Sequence, residues 1–155
     1  MLKALLVDDE QNNLDNLEFM LKHDCEGVMV AGKAHNATEA REWLSRNIVD
    51  ILFLDINMPG ETGFDLLKSL PQHNFKVIFV TAYSEYSLQA IKASAVDYLL
   101  KPVKIEDLQF AIERVKKMLS NTFAIEQSQQ LLQQLLQTAN YNTLPKKIAL
   151  PQLGG

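Results

Sequence analysis

Short apolar runs alternate along this chain with longer segments whose apolar residues recur every three or four positions. The runs at 3–7, 28–31, 51–54, 77–80 and 98–100 read as strands. The segments 11–23, 38–46, 64–70, 86–93 and 105–119 read as helices. Leu14, Leu17, Leu21 and, weakly, Phe19 supply the apolar positions of the first helix, and Ala40, Trp43 and Leu44 those of the second. Leu88 and Ile91 mark the fourth, and Leu108, Ile112, Val115 and Leu119 the last. Pro71 helps to end the third. The strands are apolar almost throughout, as strands covered on both faces must be. The alternation predicts an α/β fold: a doubly wound, five-stranded parallel sheet with helices on both faces and a helical extension at the C-terminus.

Four of the five runs stop at a reactive polar group. Val7 is followed by Asp8-Asp9, Leu54 by Asp55, Val80 by Thr81, and Leu100 by Lys101-Pro102. In open parallel sheets, ligands bind beyond the carboxyl ends of the strands, where the strand order reverses. In the flavodoxin-like order 2-1-3-4-5, strands one and three flank that point, which makes Asp8, Asp9 and Asp55 neighbours. Three adjacent carboxylates repel one another unless a cation sits among them. Hard oxygen donors with positions left for water suit Mg²⁺ better than zinc. Lys101 balances the carboxylates and can hold a phosphoryl oxygen, and a cis bond to Pro102 would aim it across the strand ends. Thr81 can donate a hydrogen bond to the same group. Singly, each has a plainer reading. Asp8-Asp9 would cap a helix, Thr81 would serve a turn, Lys101 would be solvated, and the loop 58–63 would be an ordinary turn.

Composition narrows the classes. At 155 residues the chain fits one domain with an appendage, large enough to hold a core without disulfides or structural metal. Cys25 is the single cysteine, so no intrachain disulfide forms; we read it as a packing residue in a reducing compartment, with the cytoplasm as the expected address. The net charge of −4 argues against nucleic-acid binding by these residues. No apolar run approaches the roughly 20 residues of a membrane span. Asp8, Asp9 and Glu10 so soon after Lys3 do not form a signal-peptide layout.

The character changes after residue 119. Ser120-Asn121-Thr122 reads as a break and helix cap. Residues 123–139 are Gln-rich, with Glu126 their only ionised side chain. Ile125, Leu132, Leu135/Leu136 and Ala139 recur near a 3.5-residue spacing, interrupted at Ser128 and Gln129. A packed or coiled-coil helix and a flexible Gln-rich linker both remain open. A turn is expected over 140–143, and Ile148–Leu150 reads as the opening of a strand. The expected organisation is thus 1–119, a helical linker 120–144, and a tail 145–155.

The ordered set Leu6-Val7-Asp8-Asp9-Glu10, Leu54-Asp55-Ile56-Asn57-Met58-Pro59-Gly60 with Gly63, Val80-Thr81-Ala82 and Asp97-Tyr98-Leu99-Leu100-Lys101-Pro102 resembles the receiver domain of bacterial two-component response regulators. The resemblance covers residues 1–119. It implies that Asp55 is the phosphoacceptor for a sensor histidine kinase. It implies that Asp9 and Asp55 ligate Mg²⁺ with the main-chain carbonyl of Asn57, and that Asp8 helps largely through water. Lys101 and the amide of Ala82 would bind the phosphoryl group, Thr81 would bond it once formed, and Tyr98 would be the switch aromatic. Asn57 and Tyr83 lie where members of the family vary the lifetime of that group. Such a domain is not an enzyme in the ordinary sense, although it assists its own phosphoryl transfer. Thr81-Ala82-Tyr83-Ser84-Glu85-Tyr86, Val96 to Val103 and Lys147-Ile148-Ala149-Leu150-Pro151 are similar to LytTR-type regulators. This implies transcription control through a DNA-binding domain absent from the chain, with homodimerisation on activation.

Two other classes compete. A flavin or nucleotide binder on the same fold would carry a Gly/Ser/Thr-rich loop after the first strand, where this chain has Asp8-Asp9-Glu10. A stand-alone receiver would keep the same site, whereas a dimerisation module that no longer accepts phosphate would not need Asp8, Asp9, Asp55, Thr81 and Lys101 intact.

Overall fold

A computed structural model describes residues 1–71 and 73–138, without the side chains of 122–124 and 138. Its elements are β1 (Leu2–Val7), α1 (Gln11–Asp24), β2 (Val28–Ala34), α2 (Ala37–Arg46), β3 (Ile51–Leu54), α3 (Gly63–Ser69), β4 (Lys76–Thr81), α4 (Ser87–Lys92), β5 (Asp97–Leu100) and α5 (Ile105–Thr138). A 3-10 turn, Ser84–Tyr86, precedes α4. The five strands pair in parallel in the order β2-β1-β3-β4-β5, as expected. The chain divides into two compact units, Met1–Val115 and Lys116–Gly155. Among the described residues, no helix is long and apolar enough to cross a membrane.

Strand alternation sorts the core of the first unit. Leu5, Val7, Leu52, Leu54, Val77 and Phe79 share one apolar cluster with Ala37, Ala40, Phe64, Leu66 and Ala90 of the helices. Ala4, Leu6, Phe53 and Ile78 are buried too and point to the opposite side. Buried Leu14, Leu17, Met20 and Leu21 of α1 and Leu108, Ala111, Ile112 and Val115 of α5 complete the core. Side-chain caps set where two helices begin. Asn36 Oδ1 accepts from the Glu39 N–H at 2.8 Å to start α2. Thr62 and Asp65 form a reciprocal capping box at α3.

Several expectations need correction. Phe19 is exposed and stacks on His23 with 4.0 Å between ring centroids, while Met20 takes the buried position. On α4, Leu88 and Ile91 are exposed and only Ala90 is buried. The β2 strand runs three residues beyond its apolar run, because a register shift opposite Ala4/Leu5 lets Gly32 and Lys33 stay in the ladder. No break occurs at Ser120-Asn121-Thr122; α5 continues to Thr138. Ser, Asn and Thr lower helix propensity by only a few tenths of a kcal/mol each, roughly, and no Gly or Pro lies in this stretch. The expected turn over 140–143, the strand at Ile148–Leu150 and Ala139 lie outside the described residues.

The loop between β3 and α3 holds its shape through two glycines. Gly60 adopts φ +87°, which side chains with a Cβ rarely take. Gly63 donates its N–H to the Ile56 carbonyl at 2.8 Å. A Cβ there would sit 2.5 Å from the Asp55 carbonyl oxygen and 3.0 Å from Leu54 Cγ. Backbone cannot yield as a flexible side chain would. Gly63→Ala is therefore expected to destabilise the protein by about 1–3 kcal/mol, measured by urea unfolding.

Candidate functional site

Because Val7 pairs with Leu54, the residues that follow, Asp8 and Asp55, emerge side by side. Their backbones are pinned first. The Asp55 N–H donates to the Val7 carbonyl at 3.0 Å, and the Asp8 N–H to the Ala34 carbonyl at 3.1 Å. Both residues are buried, at 6% exposure each, whereas Asp9 is exposed. One oxygen from each of Asp8, Asp9 and Asp55 lies within 4.8 Å of the others.

Lys101 arrives from β5. Leu100 pairs with Thr81, and the Lys101 N–H donates to the Thr81 carbonyl at 2.8 Å. The Lys101-Pro102 bond is cis, as anticipated. Lys101 Nζ donates to Asp8 Oδ2 at 2.6 Å and to Asp55 Oδ2 at 3.1 Å. The remaining oxygens are oriented by backbone amides. Asp55 Oδ1 accepts from the Ile56 N–H at 2.7 Å, and Asp8 Oδ1 from the Glu10 N–H at 2.9 Å. Asp8 thus serves the turn into α1, while the Glu10 side chain makes no cap bond to that helix.

Burial pushes the Asp55 carboxyl above its ordinary value; the Lys101 charge opposes this and the Asp8 charge adds to it. Burial pulls the Lys101 ammonium down. The hydrogen bond to Asp8 and the charges of Asp55 and Asp8 outweigh that, and its net shift is upward. The charged form of the lysine is thus favoured, while burial works against the ionised form of the Asp55 carboxyl beside it.

Thr81 is fully buried, and its Oγ1 has no hydrogen-bond partner among the described protein atoms. Asn57 is half-buried in the loop after β3, and Ala82 is exposed on the bend after β4. Tyr98 packs partly into the apolar cluster, with its ring centroid 6.5 Å from that of Phe79. Its hydroxyl donates to the Tyr83 carbonyl. Asp8, Asp9, Asp55 and Lys101 therefore meet directly, Thr81 joins them through the backbone, and Tyr98 is tied to the loop that follows Thr81.

Other residues around the site gave no sequence signal. Arg41 on α2 bonds Glu61 Oε2 at 2.7 Å and Ser69 Oγ, fastening the loop after Asp55. His35, after β2, faces Glu39 Oε1 at 3.0 Å and Gln11 Oε1 at 2.6 Å. Asn13 Nδ2 makes a long contact of 3.4 Å with Asp8 Oδ1. The Arg41–Glu61, Arg41–Ser69 and His35–Gln11 contacts close only across distant elements, and no local motif announces them.

A flavodoxin-like sheet with an acidic triad, a lysine and an orphaned hydroxyl at its carboxyl edge defines a phosphate- and cation-compatible site. The chain belongs to the response regulator receiver domain family, whose model matches residues 4–113. It is 35% identical over 153 residues to the sensory transduction protein LytT of Bacillus anthracis, covering 97% of this chain and 59% of that protein. It is 36% identical over 118 residues to the transcriptional regulatory protein BtsR of Salmonella typhimurium, covering 76% and 49% respectively. The response regulator TrrA of Thermotoga maritima, solved in complex with Mg²⁺-BeF, superposes with a TM-score of 0.66 at 29% identity, covering 74% of this chain and 99% of that one. The chain spans about half the length of the curated relatives it matches.

An unsatisfied buried hydroxyl costs roughly 1–3 kcal/mol. With no phosphoryl donor present, Thr81→Val is expected to raise the unfolding free energy by about 1 kcal/mol, read from the urea midpoint at constant m-value.

Proposed function

We propose that this chain is the phosphoacceptor switch of a two-component system, receiving a phosphoryl group on Asp55 from a sensor histidine kinase. The observation that carries the reading is the Lys101 ammonium held between two buried carboxylates, Asp8 and Asp55, at a parallel sheet edge. The Asp55 carboxylate, oriented by the Ile56 N–H and Lys101, attacks the phosphorus of a phosphohistidine. A P–O bond forms as the P–N bond breaks. The nitrogen keeps that electron pair, and the imidazole is released. The product is an acyl phosphate on Asp55. Lys101 turns toward the phosphoryl oxygens and offsets their charge, the main requirement in such transfers. Thr81 Oγ1 gains an acceptor, and the Ala82 amide joins it.

The donor set supports a divalent cation: three carboxylate oxygens within 4.8 Å suit hard, oxygen-seeking Mg²⁺. Asp9, Asp55 and the Asn57 carbonyl would hold it, with Asp8 acting largely through water. When bound, Mg²⁺ would neutralise charge on the transferring phosphoryl oxygens. Movement of Thr81 toward the phosphoryl group would pull the Tyr83 loop, and Tyr98 with it through the Tyr83 carbonyl. Tyr98 would thereby carry the signal to the face formed by α4, β5 and α5, where two copies dimerise. The output we propose is transcription control in the cytoplasm, through a DNA-binding domain that is not among these residues. The relatives named LytT and BtsR support that output. DNA contact is not assigned to residues 1–155.

Acetyl phosphate with Mg²⁺ is expected to add one hydroxylamine-labile phosphoryl group per chain by intact mass. Chelating the metal abolishes the addition, Asp55→Asn removes it, and Lys101→Met slows it about 100-fold. Unchanged labelling of Asp55→Asn would rule out the assignment.

A further inference from the structure

We infer that the helix over 116–138 is one strand of a parallel, two-stranded coiled coil formed with the same segment of a second copy of this chain. The reading goes beyond the phosphoacceptor assignment and does not depend on it, since nothing in the seam requires Asp55.

The seam is built on two columns. Met118, Ile125 and Leu132 stand seven residues apart, and Gln129 and Leu136 form a second column four residues after Ile125 and Leu132. Alternate steps of four and three keep both columns on one stripe of a slightly underwound helix, as in the a and d positions of a heptad. In that register Thr122, Gln129 and Leu136 occupy a positions, and Met118, Ile125 and Leu132 occupy d positions. Met118, Ile125 and Leu132 are exposed by 41%, 54% and 38%. Apolar side chains exposed at this regular spacing are what a partner helix would cover.

Two features choose a second copy as the occupant. The first is charge. From 123 to 138, Glu126 is the only ionised side chain. In a parallel, in-register pair it flanks the seam opposite Asn121 of the other copy, so no like charges meet. A partner that relied on charged flanks would find nothing here to pair with. The second is Gln129, a polar residue at the middle a position of the seam, one heptad after Thr122. Its amide carries both donors and an acceptor, so it is complementary to itself. An in-register parallel pair sets the two Gln129 amides at one level, and a polar a position that pairs with itself fixes register and strand number at a cost in affinity. The interruption of the apolar stripe thus becomes its specificity element.

Sedimentation equilibrium on the full chain, with far-UV circular dichroism to verify folding, tests this. The wild type is expected to show a concentration-dependent monomer–dimer equilibrium without a phosphoryl donor, and Asp55→Asn the same one. Gln129→Ile, which puts a β-branched apolar residue at the middle a position, should tighten the dimer about tenfold. Leu132→Glu should weaken it by at least about tenfold. Leu131→Glu, one residue off the seam, should leave it unchanged. A wild type that stays monomeric at all concentrations overturns the proposal. So does a Leu131→Glu as disruptive as Leu132→Glu, which would indicate general stickiness, or a Gln129→Ile no tighter than wild type.

Discussion

Lys101 is the residue on which the site depends. Its ammonium touches two carboxylates that the sheet register forces together, at 2.6 and 3.1 Å. Register alone would set Asp8 beside Asp55 at the end of adjoining strands, two like charges in contact. The lysine ammonium offsets that repulsion by pairing with both. It comes from β5, two strands away from Asp55, and is reached only because β3, β4 and β5 pair in parallel and end at the same edge. The sheet order and the ion triad therefore stand or fall together. A one-residue slip of β1 against β3 would send one carboxylate to the opposite face.

The strand-end residues were legible because an apolar run shows where it stops. A strand buried on both faces tolerates no polar group until its end, so Asp8, Asp55, Thr81 and Lys101 punctuate the pattern. Contacts that close across the sheet left no such mark. Arg41 reaching Glu61, or Gln11 reaching His35, joins polar surface residues far apart in sequence, and any exposed polar residue looks alike until the chain folds. Helix faces were legible only in part. Periodicity suggested Leu88 and Ile91 as the inner side of α4, yet the small Ala90 is the residue that fits against the sheet. The apolar pair is left outside. A three-residue spacing marks a stripe without saying whether the domain's own core or another surface covers it.

The C-terminal helix shows the same ambiguity at larger scale. Ser120-Asn121-Thr122 has the composition of a break, but cap-forming residues stop a helix only where the chain offers a competing conformation. Without glycine or proline the backbone continues, and α5 reaches Thr138. The helical extension expected at the C-terminus is present as far as Thr138. Helix continuity also gives meaning to spacing: seven-residue intervals define a seam on a helix and define nothing on a coil.

Two features of the site support the ligand chemistry proposed for it. Three carboxylates face one ammonium, leaving two negative charges in excess at the sheet edge. A divalent cation cancels that excess; an anion alone would deepen it. Thr81 Oγ1, by contrast, is a buried hydroxyl with no partner among the described atoms, and Lys101 has three donor protons with two directed at Asp8 and Asp55. Those unused donors call for an oxygen acceptor. A cation by itself would satisfy the charge and leave the hydroxyl orphaned. A phosphoryl group by itself would satisfy the donors and be repelled by the carboxylates. A divalent cation together with phosphoryl oxygens meets both deficits, which is why charge and hydrogen-bond arithmetic lead independently to the same chemistry.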